Sequence, residues 1–309
     1  MTVLILTCKE DVTADMVVAE LHARSVPLLR FDPGDIPGEV GLNAEYVRGK
    51  VRGYISTDSR LVAVDCVRSV WMRRPGTPAS HAPDPSDWLS LESEHALYGM
   101  LECSAARWMN HPSMAARARY KPWQLVIAHR NGFPVPATVI TTRPNVAQQF
   151  ASQYRQVVAK SVSGKPPGDP PMELRTTIVP PDADFDSVAA GPTMLQRYIA
   201  KRADIRLTSI GDDHLAARKI AGPEQVDGRF GETGHCWEPV EVPARVLRFV
   251  EAYKKVAELS YGAFDFAEDD EGTWWFLECN QGGQFGFIEL EAGLPIAASV
   301  ASWLGASPP

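Results

Sequence analysis

The sequence predicts an α/β domain at its start and an α+β region after it, and three observations carry that reading. The first is the opening order. Val3 to Leu6 is a short apolar run suited to a buried strand. Roughly Thr13 to Arg24 follows as an amphipathic helix with Met16, Val17, Ala19 and Leu21 on its apolar side, and Val26 to Phe31 is a second strand. A strand–helix–strand unit of this kind pairs its strands in parallel. The second is a change of pattern from Asp204 onward, where several strands succeed one another before a helix over about Ala244 to Ser260. The third is length: 309 residues suffice for two or three lobes with their own cores.

The elements between follow from local chemistry. Leu42 to Ile55 reads as a hairpin turning near Arg48-Gly49-Lys50. Val67 to Met72 is a strand that runs into Arg73-Arg74-Pro75, and a Pro-rich loop follows. Ser86 or Asp87 then caps a helix expected to reach about Trp108. A first domain over residues 1–112 ends at Asn110-His111-Pro112. Ala115 to Asn131 reads as one helix, stopped by Gly132 to Pro136. A central lobe occupies 113–195 and a C-terminal lobe 196–309. Gly164 to Pro171, rich in proline and glycine, can be neither helix nor strand interior, and a loop of that size is often functional. Ala263 to Ala267 and Thr273 to Glu278 are two further strands, and Pro295 to Leu304 a last helix.

Composition excludes several classes. Hydrophobic residues make up 45% and charged residues 22%, as in soluble globular chains. A net charge of −7 argues against broad nucleic-acid binding, which favours a basic surface. No apolar run approaches the ~18 residues of a membrane helix, and the start lacks a basic region with a cleavage site. The five cysteines, Cys8, Cys66, Cys103, Cys236 and Cys279, form no C-x-x-C pair, so free thiols in a cytoplasmic setting are expected.

The stretch with most chemistry is GAFDFAEDDEGTWWFLECNQGGQFGFIELE, Gly262 to Glu291. Asp265 sits on one strand, and Glu278 and Asn280 on the next. Residues i and i+2 of a strand share a face, so Glu278 and Asn280 can point at one ion while Asp265 reaches across. Three hard oxygen ligands suit magnesium, which takes its remaining ligands from water and phosphates. A lone Glu-x-Asn is more often an ordinary strand pair, and it is the upstream residues that shift the balance. Lys160 ends the apolar strand Val157 to Lys160 before a Ser/Gly loop, a placement suited to phosphate oxygens. Lys121 offers a second cation at the start of its helix. Gln196, Arg197 and Ile199 form a strand edge suited to an adenine. Arg206 and Arg229 carry forks suited to a carboxylate or a transferring phosphoryl group.

Taken in order, Lys121, Lys160, Gln196-Arg-Tyr-Ile199, Asp204-Ile-Arg206, Asp265, Glu278 and Asn280 resemble the ATP-grasp superfamily. Within it the chain resembles the maturases of graspetides, omega-ester and omega-amide peptides such as the microviridins. The segments that carry this resemblance are RFDPGDIP (Arg30 to Pro37), SVWMRRP (Ser69 to Pro75), WMNHP (Trp108 to Pro112), FPVPATVIT (Phe133 to Thr141) and ECNQGGQFGFIE (Glu278 to Glu289).

The resemblance implies a pre-ATP-grasp α/β domain before two lobes that clamp ATP. It implies activation of Asp or Glu side chains of a ribosomal precursor peptide as acyl phosphates, for attack by a Ser or Thr hydroxyl or a Lys amine. Lys121 and Lys160 would then hold phosphates, and Gln196, Arg197 and Ile199 would flank adenine through backbone groups. Lys201 and Asp204 would lie at the ribose side, and Asp265, Glu278 and Asn280 would bind Mg2+. Arg206 and Arg229 would hold the acceptor carboxylate. A homodimer is also implied. Two segments depart from the family pattern: Gly228 stands where related ligases often carry tryptophan, and Gly164 to Pro171 is proline-heavy for a phosphate-covering loop.

Two other functions share parts of this pattern. A ligase that adds a free amino acid to a protein or small acid would use the same nucleotide residues. A peptide-binding module without chemistry would not need both lysines and all three metal ligands. The tryptophans fit core positions. Arg73 and Arg74 could be solvated, or could meet an acidic leader or core peptide.

Overall fold

A computed structural model describes residues 1–163, 175–222, 226 and 236–307. The opening unit forms as expected: β1 (Thr2–Thr7), α1 (Val12–Ala23) and β2 (Leu28–Phe31), with β1 and β2 parallel and Val3 opposite Leu28. β3 (Gly41–Val47) and β4 (Lys50–Ser56) make the hairpin, and β5 (Leu61–Ala63) extends it. At its tip Arg48 and Gly49 have φ of 51° and 74°, the left-handed pair that a two-residue hairpin turn requires. β6 (Val67–Arg74) pairs with the other side of β1. The Ser86 hydroxyl accepts the Leu89 N–H at 3.2 Å and starts α2 (Asp87–Glu102).

The helix expected to reach Trp108 stops at Glu102. Ser104 closes its end by donating to the Leu101 carbonyl at 2.6 Å. Residues Arg107–Met109 form β7 instead, parallel to β6 with Trp108 opposite Val70. The parallel sheet therefore runs β2-β1-β6-β7. Past it, the single helix expected from Ala115 to Asn131 is two, α3 (Pro112–Ala118) and α4 (Lys121–Arg130). Pro122 has no N–H to give to the Ala118 carbonyl, so the chain breaks there. The Gln124 side chain takes that carbonyl at 2.7 Å.

β8 (Thr138–Thr141), α5 (Pro144–Ser152), β9 (Val157–Lys160), β10 (Thr177–Ile178) and β11 (Thr193–Arg197) form a small lobe, with an antiparallel sheet ordered β10-β9-β11-β8. The expected loop from Gly164 to Pro171 lies outside the described residues.

β12 (Ala203–Ile210), β13 (Asp213–Ile220), β14 (Glu238–Pro239), α6 (Ala244–Ala257), β15 (Tyr261–Glu268) and β16 (Trp274–Asn280) make the last lobe. Its antiparallel sheet is ordered β14-β13-β12-β15-β16. One face of this sheet is aromatic: Phe264, Phe266 and Phe276 pack with Tyr253 of α6 and with Phe133, which follows α4. α7 (Gly286–Ala292) and α8 (Ile296–Gly305) complete the chain. α8 packs against α1 and β6, and Ile296, Val300 and Leu304 share a core with Val3, Ile5 and Leu21. The chain end thus folds back onto the first domain. No described helix is long and apolar enough to cross a membrane, and none of the five cysteines is paired.

One buried cation lies in the hydrophobic layer of the last lobe. Lys254 of α6 donates to Ser209 Oγ at 2.8 Å and to the Gly211 carbonyl. Burial lowers its ammonium pKa to about 8, against the pull of Asp212, Glu251 and Asp213. Between that value and the ordinary 10.5 the unfolded chain binds more protons than the folded one, so stability rises with pH. Urea unfolding of wild type is expected to strengthen from pH 8 toward 10.5 relative to Lys254→Met. Parallel pH profiles for the two proteins would contradict this.

Candidate active site

The residues expected from the sequence to bind metal, Asp265, Glu278 and Asn280, lie on β15 and β16, beside Arg206 of β12. Arg206 of β12 lies opposite Asp265 of β15, and Asp265 lies opposite Glu278 of β16. Three charged side chains therefore stand side by side on one face of the sheet. Cys279 points the other way and is buried among the aromatics, as alternation requires. Asn280 returns to the charged face.

Contacts within this row are short. Arg206 Nη1 donates to both Asp265 oxygens, at 2.7 and 2.8 Å, and its Nη2 donates to the Gln284 carbonyl at 3.0 Å. Lys121 Nζ lies 3.1 Å from Glu278 Oε2 and donates to the Ser161 carbonyl at 3.0 Å, so α4 reaches both β16 and the end of β9. Asn280 Nδ2 faces Asp265 Oδ2 and Glu278 Oε1, each at 3.1 Å. Gln124, one turn after Lys121 on α4, accepts the Cys279 N–H at 3.0 Å and donates to the Cys279 carbonyl at 2.8 Å. It locks the residue between Glu278 and Asn280 to the helix that carries Lys121.

The charges polarise one another. Burial raises the Asp265 carboxyl above its ordinary value, with Glu278 adding to the shift and Arg206 opposing it. Burial also pulls Glu278 upward, but Lys121, Asn280 and Lys160 outweigh it and hold that carboxyl below its usual value. Arg206 is penalised by burial and more than compensated by Asp265. Two carboxylates this close need shared positive charge.

Asp265 and Glu278 fit a divalent cation that takes further oxygens from phosphate and water. Among the described residues no group of three or more His, Cys, Asp or Glu could hold a metal by itself. Asn280 fits once its amide turns its oxygen toward the carboxylates, an orientation decided by the charge it faces.

The remaining expected residues divide. Lys160 Nζ donates to Gln196 Oε1 at 2.9 Å, and Gln196 donates onward to Thr138 Oγ1 at 2.9 Å, so these two belong to one network in the small lobe. Lys201 Nζ donates to Asp204 Oδ1 at 2.6 Å and to the Val226 carbonyl at 3.1 Å. Ile199 is buried, while the exposed Arg197 lies over the Trp275 ring at 5.4 Å. The backbone reading of this hinge narrows. β11 is an inner strand, the Arg197 N–H is bonded to the Ala137 carbonyl, and the Tyr198 N–H to that of Gln156. Those two N–H groups are therefore already paired within the lobe. Arg229 and Gly228 lie outside the described residues.

Arg206 is committed to Asp265 rather than open to an acceptor carboxylate. Arg73 cannot meet a leader peptide at the surface: it is buried, donates to the Gly282 carbonyl at 2.7 Å and stands 3.6 Å from Asp11. Arg74 beside it is exposed. The sequence reading missed Gln124 and Asn110. Asn110 lies in the quoted WMNHP segment, so a signal was present without a role attached.

Comparison with known proteins adds the class. A family model described as the MvdD pre-ATP grasp domain matches residues 2–115. No curated protein matches the chain. A Chryseobacterium gregarium RiPP-associated ATP-grasp ligase, in complex with ADP and a leader and core peptide, is 26% identical with a TM-score of 0.84, covering 98% of this chain and 96% of that one. Macrocyclase MdnC from Microcystis aeruginosa MRC, bound with precursor peptide MdnA, is 25% identical with a TM-score of 0.85 over 98% and 99%. Macrocyclase MdnB from the same organism is 25% identical with a TM-score of 0.79 over 98% of each chain.

The fold and these likenesses define an ATP-grasp ligase with a pre-ATP-grasp domain. Within that class the chain is similar to the RiPP-associated ligase and the two macrocyclases, in keeping with the resemblance carried by its WMNHP and ECNQGGQ segments.

The packing of the site gives a direct test. A Cβ on Gly283 would fall 2.6 Å from Arg206 Nη2 and 2.7 Å from Ala263 Cβ. Gly283→Ala is therefore expected to lose about 1–3 kcal/mol of unfolding free energy, as overpacking does. Urea denaturation checks it, and an unchanged midpoint would contradict the close packing.

Proposed function

We propose that the chain is an ATP-dependent macrocyclase of a ribosomally made precursor peptide. Its acceptors are Asp or Glu side chains of an acidic, Thr-rich core, and the products are ester or amide cross-links. The observation that carries this reading is the charged row of Arg206, Asp265 and Glu278, met from a separate helix by Lys121 and flanked by Lys160. Positive and negative groups alternate there over a few ångströms, the arrangement phosphoryl transfer needs. The likeness to a ligase in complex with ADP, leader and core peptide, and to a macrocyclase bound with its precursor, supports the substrate class.

In this reading Asp265, Glu278 and Asn280 hold Mg2+, which neutralises phosphate charge when bound. Lys121 and Lys160 hold ATP phosphates. Gln196, Arg197 and Ile199 border the adenine, and Lys201 and Asp204 the ribose. A peptide carboxylate oxygen attacks the γ-phosphorus and ADP leaves. A hydroxyl or amine of the same peptide then attacks the acyl carbon, loses its proton, and phosphate departs. Each ring thus removes the elements of one water. An acyl phosphate hydrolyses readily, so water must be excluded while it exists. Arg206 and Arg229 serve the acceptor, Arg206 once a metal ion shares the charge of Asp265. The chain works as a cytoplasmic homodimer and binds neither nucleic acid nor membrane.

Mass spectrometry of a matched precursor after incubation with the protein, ATP and magnesium tests the reading. Expected is loss of one water mass per ring, dependent on ATP and absent with Glu278→Ala. Gain of an amino-acid residue would identify a ligase acting on free amino acids instead. An unchanged peptide, with ATP binding intact, would contradict macrocyclisation.

A further inference from the structure

The turn Gln281-Gly282-Gly283-Gln284 leaves β16 directly after Asn280 and has no charged side chain. Its four successive carbonyls are each taken by a different residue. Gln281 accepts from Asn110 Nδ2 at 2.8 Å, and Gly282 from Arg73 Nη1 at 2.7 Å. Gly283 accepts from the Tyr261 hydroxyl at 2.7 Å, and Gln284 from Arg206 Nη2 at 3.0 Å. The last two donors come from the neighbouring strands β15 and β12. The first two come from the first domain, 171 and 209 residues away in sequence.

Asn110 uses every hydrogen-bonding position its amide has. Its second Nδ2 hydrogen goes to the Tyr261 carbonyl at 2.8 Å, and its Oδ1 accepts the N–H groups of Ser260 and Tyr261 at 2.7 and 2.9 Å. One buried side chain therefore ties the start of β15, which carries Asp265, to the exit of β16, which carries Glu278 and Asn280. Arg73 is the more costly device. Its side chain is 2% exposed, burial holds its pKa below the usual value, and its Nε and Nη2 have no hydrogen-bond partner among the described residues. A guanidinium kept under these conditions, with its one short bond on Gly282, is expensive to bury for packing alone.

We propose that Asn110 and Arg73 are positioning residues of the metal-dependent step. They hold the Gln281 and Gly282 carbonyls from the first domain, and so set the side chain of Asn280 and the seat of Arg206. The proposal rests on the reading of Asp265, Glu278 and Asn280 as a magnesium–nucleotide site. Neither residue touches a reacting atom. The SVWMRRP and WMNHP segments thereby acquire a common purpose at a site far from them in the chain.

The test compares ADP binding with and without magnesium, by calorimetry, in the wild-type chain and three variants. Asn110→Asp keeps both accepted bonds and loses both donated ones. Arg73→Met loses the bond to Gly282, and Arg73→Lys restores one donor. In wild type, magnesium is expected to tighten ADP binding. In Asn110→Asp and Arg73→Met that tightening should shrink about tenfold or more, the size seen when residues behind a metal ligand are lost. ADP affinity without magnesium should stay as in wild type, and Arg73→Lys should recover part of the loss. A lower melting temperature with the magnesium effect intact would overturn the proposal, leaving only a packing role. If Asn110→Asp does not fold, the Arg73 pair decides alone. A wild type whose ADP affinity ignores magnesium would instead overturn the metal-site reading, and this proposal with it.

Discussion

The pairing of Arg206 with Asp265, across β12 and β15, is the contact on which the site depends. Two carboxylates face each other on neighbouring strands, backed by a layer of phenylalanines, and neither could remain charged there without a cation. Arg206 neutralises one through two bonds, and Lys121 the other from a separate helix. This row of charges holds the sheet face open to a polar ligand while the opposite face stays apolar. Under the proposed reading, a divalent ion entering the array exchanges one set of positive charges for another. Arg206 and Lys121 would then be free to meet anionic groups.

Rigidity around that row comes from side chains that read backbone. Gln124 brackets Cys279 on both its N–H and its carbonyl, Asn110 does the same for Tyr261, and Arg73 and Arg206 hold the turn beyond. Each side-chain amide satisfies a donor and an acceptor at once, so a small shift of either partner leaves two buried groups unpaired. Such bonds place Asp265, Glu278 and Asn280 more firmly than hydrophobic packing alone. The first domain takes part in this directly, and the return of α8 to its core binds the two ends of the chain into the same frame.

Much of this was legible in the sequence where the signal is local. The i, i+2 spacing of Glu278 and Asn280 placed them on one face and Cys279 on the other, because alternation is a property of any strand. Lys121 and Lys160 stood out at element boundaries. The three-residue strand β7 was hidden because it is too short for periodicity, and Ser104, which ends α2, looks like any helix serine. The break between α3 and α4 was readable from Pro122 and was missed. Asn110, Arg73 and Gln124 escaped because their partners lie 151 to 209 residues away, and no pattern within a window reports a contact at that range. The commitment of Arg206 to Asp265 is likewise a matter of register between strands 59 residues apart.

The most direct test of the charged row is the unfolding free energy of Arg206→Met, measured against wild type without and with magnesium and ADP. Arg206 is buried but the Asp265 side chain keeps 29% of its surface exposed, so removing Arg206 is expected to cost about 2–3 kcal/mol, between an exposed pair and a fully buried one. A loss of that order is predicted in the absence of metal, and a clearly smaller one when magnesium and ADP supply the missing positive charge. A loss below about 1 kcal/mol, the range of exposed pairs, or one that magnesium and ADP leave unchanged, would contradict the account.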